Sequence, residues 1–102
     1  MIVEYIRYQI GEERQTDFLA AYRTAGESLI ASPHCLRYEL TRCTEDSTAY
    51  ILRIEWDSLD GHLQGFRQSP EFRTFLASVG PFVNDIAEMR HYQLTEIKGE
   101  RS

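Results

Sequence analysis

Polar and apolar positions alternate along residues 2–10, with Ile2, Ile6, Tyr8 and Ile10 on one parity and Val3, Tyr5, Arg7 and Gln9 on the other. Period-two alternation of β-branched and aromatic side chains predicts a strand, ended by Gly11, in which Glu4 is the exception on the apolar side. The period then changes: Phe18, Tyr22, Ala25 and Leu29 form a single stripe at helical spacing, predicting a helix over 13–31. Ser32-Pro33 stops it, because the residue before a proline is pushed out of the helical region.

Alternation returns over residues 35–43, with Leu36, Tyr38, Leu40 and Arg42 on one parity, and over 49–56, with Tyr50, Leu52, Ile54 and Trp56. The polar residues 44–48 between them make an antiparallel hairpin. Ser58 is placed to cap a helix carrying Leu59, His62, Leu63 and Phe66 as its stripe, with Gly61 and Gly65 weakening it off the stripe. Ser69-Pro70-Glu71 restarts a helix bearing Phe72, Phe75, Leu76 and Val79, which Gly80-Pro81 breaks. Residues 82–86 fit one helical turn, 88–97 a last strand, and 98–102 a flexible tail.

The order β-α-β-β-α-β predicts an α+β, ferredoxin-like sandwich: a four-stranded antiparallel sheet with both helices on one face, in one domain over 1–97. The face with Tyr38, Leu40, Leu52, Ile54 and Trp56 belongs under the helices. The other parity mixes Arg37, Glu39, Ile51, Arg53 and Glu55 with Val3, Tyr5 and Arg7. Such a face is either solvated or packed against a second copy.

At 102 residues the chain suits one domain with one core. Its net charge of −5, with a single lysine and scattered arginines, argues against nucleic acid or anionic membranes as partners. No apolar run approaches the roughly 20 residues that span a bilayer, and the N-terminus lacks the basic-then-apolar order of a signal peptide. A cytoplasmic protein is expected. Cys35 and Cys43 lie at opposite ends of one predicted strand, about 26 Å apart at roughly 3.3 Å per residue, far beyond disulfide reach. Free thiols are expected, in keeping with a reducing compartment.

The stretch Ile54-Glu55-Trp56-Asp57-Ser58, followed by Gly61-His62-Leu63, Phe66 and Ser69-Pro70-Glu71-Phe72, resembles the antibiotic biosynthesis monooxygenase superfamily. Pro33-His34-Cys35, with Tyr38 three residues on, resembles another of its conserved segments. The resemblance implies a dimeric α+β barrel in which two sheets pack together, with a pocket between sheet and helices in each subunit. The activities it implies are diverse, among them oxidation of polycyclic phenols or quinols by O₂ without a metal or organic cofactor, and haem degradation. The haem-degrading branch uses an Asn on the first strand, a Trp on the second helix and a later His. Here the first strand has no Asn, and Phe66 and Leu76 stand where the Trp and His would align.

His62 is the candidate catalytic residue. Its stripe turns it inward, and a neutral imidazole with pKa near about 6.5 suits removal of a phenolic proton. Trp56, expected at the pocket mouth, can stack on a flat ligand, and Tyr22, Tyr38, Phe66, Phe75 and Tyr92 can line the same cavity. For each, ordinary core packing is the competing explanation. His91 has the parity expected for the uncovered sheet face and hence for a dimer contact, while His34 sits in a loop. His34, Cys35, Cys43, His62 and His91 show no recognised metal-ligand spacing, and no Gly-rich phosphate loop, nucleophile elbow or CxxC is present. What the resemblance implies for this chain is a homodimeric, cofactor-independent monooxygenase of a small aromatic molecule, with neither metal nor organic cofactor. The rival reading is a non-catalytic, small-ligand-binding or sensor dimer associated with a haem protein.

Overall fold

The computed structural model describes residues 1–102. Strand β1 (Ile2–Gln9) leads through a 3₁₀ turn (Glu12–Arg14) into helix α1 (Gln15–Ala31). The hairpin β2 (Cys35–Arg42) and β3 (Ala49–Trp56) follows, then a π-helical segment (Gly61–Gly65), a 3₁₀ turn (Phe66–Gln68) and helix α2 (Pro70–Val79). A third 3₁₀ stretch (Gly80–Asp85) delivers the chain to β4 (Ile86–Gln93). The four strands form one antiparallel sheet in the order β2-β3-β1-β4, the ferredoxin-like arrangement, with the helices on one face. No helix is long and apolar enough to cross a membrane.

The alternation of β1 and β3 fixes which face the helices cover. Ile6, Tyr8, Tyr50, Leu52, Ile54 and Trp56 point beneath Phe18, Tyr22, Ala25 and Leu29 of α1 and Phe75 and Val79 of α2. Each large apolar side chain so buried contributes on the order of 2 kcal/mol. The uncovered face is knitted by charge: Arg53 Nη1 lies 2.7 Å from Glu55 and 3.6 Å from Glu39.

The second helical region departs from the expected stripe. Gly61 and Gly65 do more than weaken an α-helix, since a Cβ at Gly61 would collide with Asp57 and one at Gly65 with the His34 ring. The glycines let this segment settle onto the loop before β2, where His34 Nδ1 bonds Asp57 Oδ2 at 2.9 Å. The chain there winds as a π turn, which carries His62 inward. Ser58 Oγ accepts the Gly61 N–H at 2.8 Å, and Ser69 Oγ caps α2 by accepting from Phe72 N.

β4 starts and ends earlier than its alternation suggested, and its register with β1 corrects the assignment of its faces. Glu4 lies opposite His91 and Ile6 opposite Met89, whereas Val3 lies opposite Tyr92. His91 therefore faces the helices and Tyr92 the uncovered side, the reverse of the expected placement. A one-residue change of parity flips every side chain of a strand. Cys35 and Cys43 are free.

Candidate functional site

A cavity of about 240 Å³ lies between the sheet and α2. Trp56, Ile54, Ile6 and Tyr8 form its floor, and Phe66, Phe72, Phe75 and Val79 form its helical wall. Leu76, Val83 and Met89, each exposed on one side, border its opening. Three polar side chains break this apolar lining: Glu4, His62 and Arg67.

Glu4 is held by β1 on the covered face, only 2% exposed. Its Oε1 accepts the indole N–H of Trp56 at 3.1 Å, and the ring of His62 lies flat on that indole, centroids 4.3 Å apart with planes 5° from parallel. His62 Nε2 stands 3.6 Å from Glu4 Oε1, and His91 Nε2 stands 3.5 Å from Glu4 Oε2. The two imidazoles share a hydrogen bond of 2.9 Å between His62 Nδ1 and His91 Nε2. When His91 donates in that bond, His62 carries its proton on Nε2 and turns an N–H toward the Glu4 carboxylate. When His62 donates instead, its Nε2 lone pair faces a protonated Glu4. The imidazole pair therefore has an orientation that suits either protonation state of Glu4.

Burial sets the electrostatics. Desolvation raises the Glu4 carboxyl from its ordinary 4.5 to about 7, against smaller lowering by the Trp56 N–H and the Arg67 charge. Desolvation, helped by Arg67 and His91, lowers His62 to about 3, so its ring is neutral at physiological pH. His91 is lowered for the same reasons, burial first and Arg67 second. Glu4, His62 and His91 bring their donor atoms within 4.8 Å of one another, close enough to surround an ion. Their geometry suits proton sharing better. The two imidazoles address each other through a hydrogen bond rather than a common centre, and the Arg67 charge opposes a dication there.

Of the residues singled out from sequence, His62, Trp56, Phe66 and Phe75 meet at this cavity. Trp56 is its deep wall, fully buried, rather than its mouth. Tyr22, Tyr38 and Tyr92 are not part of it. Tyr22 is buried in an aromatic cluster with Phe18 and Tyr8, its hydroxyl bonded to that of Tyr8. The Tyr38 hydroxyl fits against Gly26 of α1, where a Cβ would collide with it. Tyr92 packs edge-on to Tyr5 on the uncovered face, centroids 5.5 Å apart. Sequence reasoning missed three contributors: Glu4, Arg67 and His91. Glu4 was visible as the one charge on an apolar parity. Arg67 carried no such sign, and His91 was assigned to the wrong face.

A model of the antibiotic biosynthesis monooxygenase family matches residues 1–78. The Bacillus subtilis protein YczJ is 28% identical over 93 residues, covering 91% of this chain and 98% of its own. A Bordetella bronchiseptica protein assigned to the antibiotic biosynthesis monooxygenases superposes with a TM-score of 0.76 at 28% identity, over 92% of this chain and 96% of that one. SnoaB, a cofactor-independent oxygenase from Streptomyces nogalater, superposes with a TM-score of 0.80 over 97% of each chain, a likeness of fold alone at 14% identity. Matched by the family's model over most of its length, the chain belongs to the antibiotic biosynthesis monooxygenase family.

Proposed function

We propose that the cavity oxidises a small phenol or quinol with O₂, and that Glu4 takes the phenolic proton. The observation that carries this reading is a buried carboxyl, raised to about 7, set in the wall of an apolar cavity. A general base works best with a pKa near the working pH. His62, the candidate from sequence, is held neutral at about 3 and is a poor proton acceptor. Its part is to orient the carboxyl beside the Trp56 indole, backed by its hydrogen bond to His91.

The size of the site limits the ligand. An apolar cavity of about 150 Å³ takes a benzene ring, so about 240 Å³ suits one or two fused rings. The flat indole of Trp56 gives such rings a surface to lie beside.

The chemistry balances without an added reductant. Glu4 removes the phenolic proton, and the phenolate passes one electron to O₂. The resulting superoxide and phenoxyl radical join at the para carbon, forming a C–O bond. Loss of the proton on that carbon and cleavage of the O–O bond leave a quinone and hydroxide, which takes the proton from Glu4 and departs as water. The phenol gives four electrons and O₂ accepts four. SnoaB, similar in fold, is a cofactor-independent oxygenase, which supports this reading at the level of chemistry class.

The uncovered sheet face, where Tyr5, Ile51 and Tyr92 are exposed, is the surface through which we expect two copies to pair.

The test is O₂ uptake and quinone formation with 1-naphthol, whose para carbon carries the hydrogen that the step removes. Glu4→Gln should lower kcat/KM by about 100-fold or more, the usual worth of a general base. Undiminished turnover in that variant would remove Glu4 from the mechanism. Stoichiometric binding of the phenol with no O₂ uptake in the unmodified protein would favour the rival, a ligand-binding dimer.

A further inference from the structure

Three arginines are half-buried in this fold, Arg14, Arg53 and Arg67. Arg14 bonds Asp85 at 2.8 Å, and Arg53 bonds Glu55 at 2.7 Å. Arg67 differs. It sits in the 3₁₀ turn between the π segment and α2 and lines the cavity, yet makes neither an ion pair nor a side-chain hydrogen bond. A guanidinium carries five N–H donors in a planar fork suited to an oxyanion, and those of Arg67 keep access to solvent while no protein group occupies them. It is also close to the polar cluster, since its charge pulls the pKa of Glu4, His62 and His91 downward.

We infer that Arg67 is the specificity-determining residue of the cavity and that its ligand is an aromatic molecule of one or two rings bearing a singly ionised oxygen, which the guanidinium pairs. This rests on the reading of the cavity as an aromatic oxygenation site and narrows it to acidic aromatics. The lining itself points the same way. Every other lining residue except Glu4 and His62 is apolar, so an uncharged hydrocarbon would leave Arg67 facing it without compensation. An anionic oxygen at Arg67 neutralises the charge while the rings fill the space between Trp56, Phe66 and Phe75. In the oxygenation, the same pairing would hold the phenolate formed when Glu4 takes its proton, making Arg67 a binding residue for the reacting oxygen.

The test uses two probes of equal shape, 2-naphthoate and 2-naphthamide, titrated calorimetrically at about pH 6. There the carboxylate is ionised and Glu4 is mostly protonated, leaving Arg67 as the charge that faces the ligand. The intact protein should bind the naphthoate about 10- to 100-fold more tightly than the amide, the range expected of a charge-assisted hydrogen bond. Arg67→Met should abolish that preference by weakening naphthoate binding, with an unchanged unfolding transition showing that the fold is intact. Arg67→Lys should keep part of it. Equal binding of the two probes by the unmodified protein, or no binding of the naphthoate, would overturn the inference, as would a preference that survives in Arg67→Met. Because no turnover is measured, a protein that prefers the anion but consumes no O₂ would sink the oxygenase reading and leave this one standing.

Discussion

Replacing Glu4 by Gln isolates the ionisation of one buried group. Gln keeps the oxygen that accepts the Trp56 N–H and offers an N–H toward His91, so shape and hydrogen bonds are largely kept while the charge is removed. In the folded protein Glu4 ionises at about 7, against an ordinary 4.5. The folded state thus holds a proton that the unfolded chain has released, and stability falls as pH rises from the unfolded value through the folded one. Between pH 5 and 8 that loss integrates to about 2.5 kcal/mol, with each pKa unit worth about 1.4 kcal/mol. His62 acts in the opposite sense, its contribution being lost as pH falls from 6.5 toward 3. That contribution is common to both proteins and drops out of their difference to first order. The other groups facing Glu4, namely His91, Arg67 and the Trp56 N–H, are likewise unchanged. Guanidinium unfolding at pH 5 and pH 8, at one protein concentration, measures the gap. Glu4→Gln should gain about 2.5 kcal/mol on the unmodified protein over that interval. A gap that is the same at both pH values would refute a carboxyl held near neutrality.

Other outcomes follow from the same geometry. The activity of the unmodified protein should rise with pH through about 7 as Glu4 becomes ionised, read as kcat/KM from O₂ uptake. Trp56→Phe removes the N–H that lowers the Glu4 pKa, so that limb should move to higher pH. An unmoved limb would disconnect the indole from the acid. Gly65→Ala drives a methyl group into the His34 ring and should cost about 1–3 kcal/mol in denaturant unfolding. Tyr22→Phe leaves the Tyr8 hydroxyl without its buried partner and should cost about 1–3 kcal/mol while leaving ligand binding unchanged, since Tyr22 is outside the cavity.

Much of this architecture was legible because burial imposes periodicity. β3 follows its alternation from Ala49 to Trp56, and α1 buries the stripe of Phe18, Tyr22, Ala25 and Leu29 that its spacing announced. β4 was harder to read. It is an edge strand whose two parities, Met89 and His91 against Arg90 and Tyr92, are about equally polar, so only pairing with β1 decides which faces inward. That ambiguity exchanged the roles of His91 and Tyr92. The π turn was hidden for another reason: a helical stripe cannot reveal that Gly61 and Gly65 are glycines to admit Asp57 and His34. Glu4 was the most informative residue and the easiest to pass over. A lone carboxylate on an apolar parity marks an exception that only a buried partner can sustain, and Trp56 and His62 supply it from 52 and 58 positions away in sequence. Arg67, on a short turn, had no pattern to depart from.

Carbon-13 NMR of the Glu4 side-chain carboxyl, followed across pH in the unliganded protein, reads the group on which the proposed chemistry depends. The carboxyl resonance should titrate with a midpoint of about 7, and lose that transition in Glu4→Gln. A midpoint near 4.5, the value of a solvated glutamate, would contradict the account by leaving the cavity with no proton acceptor matched to neutral pH.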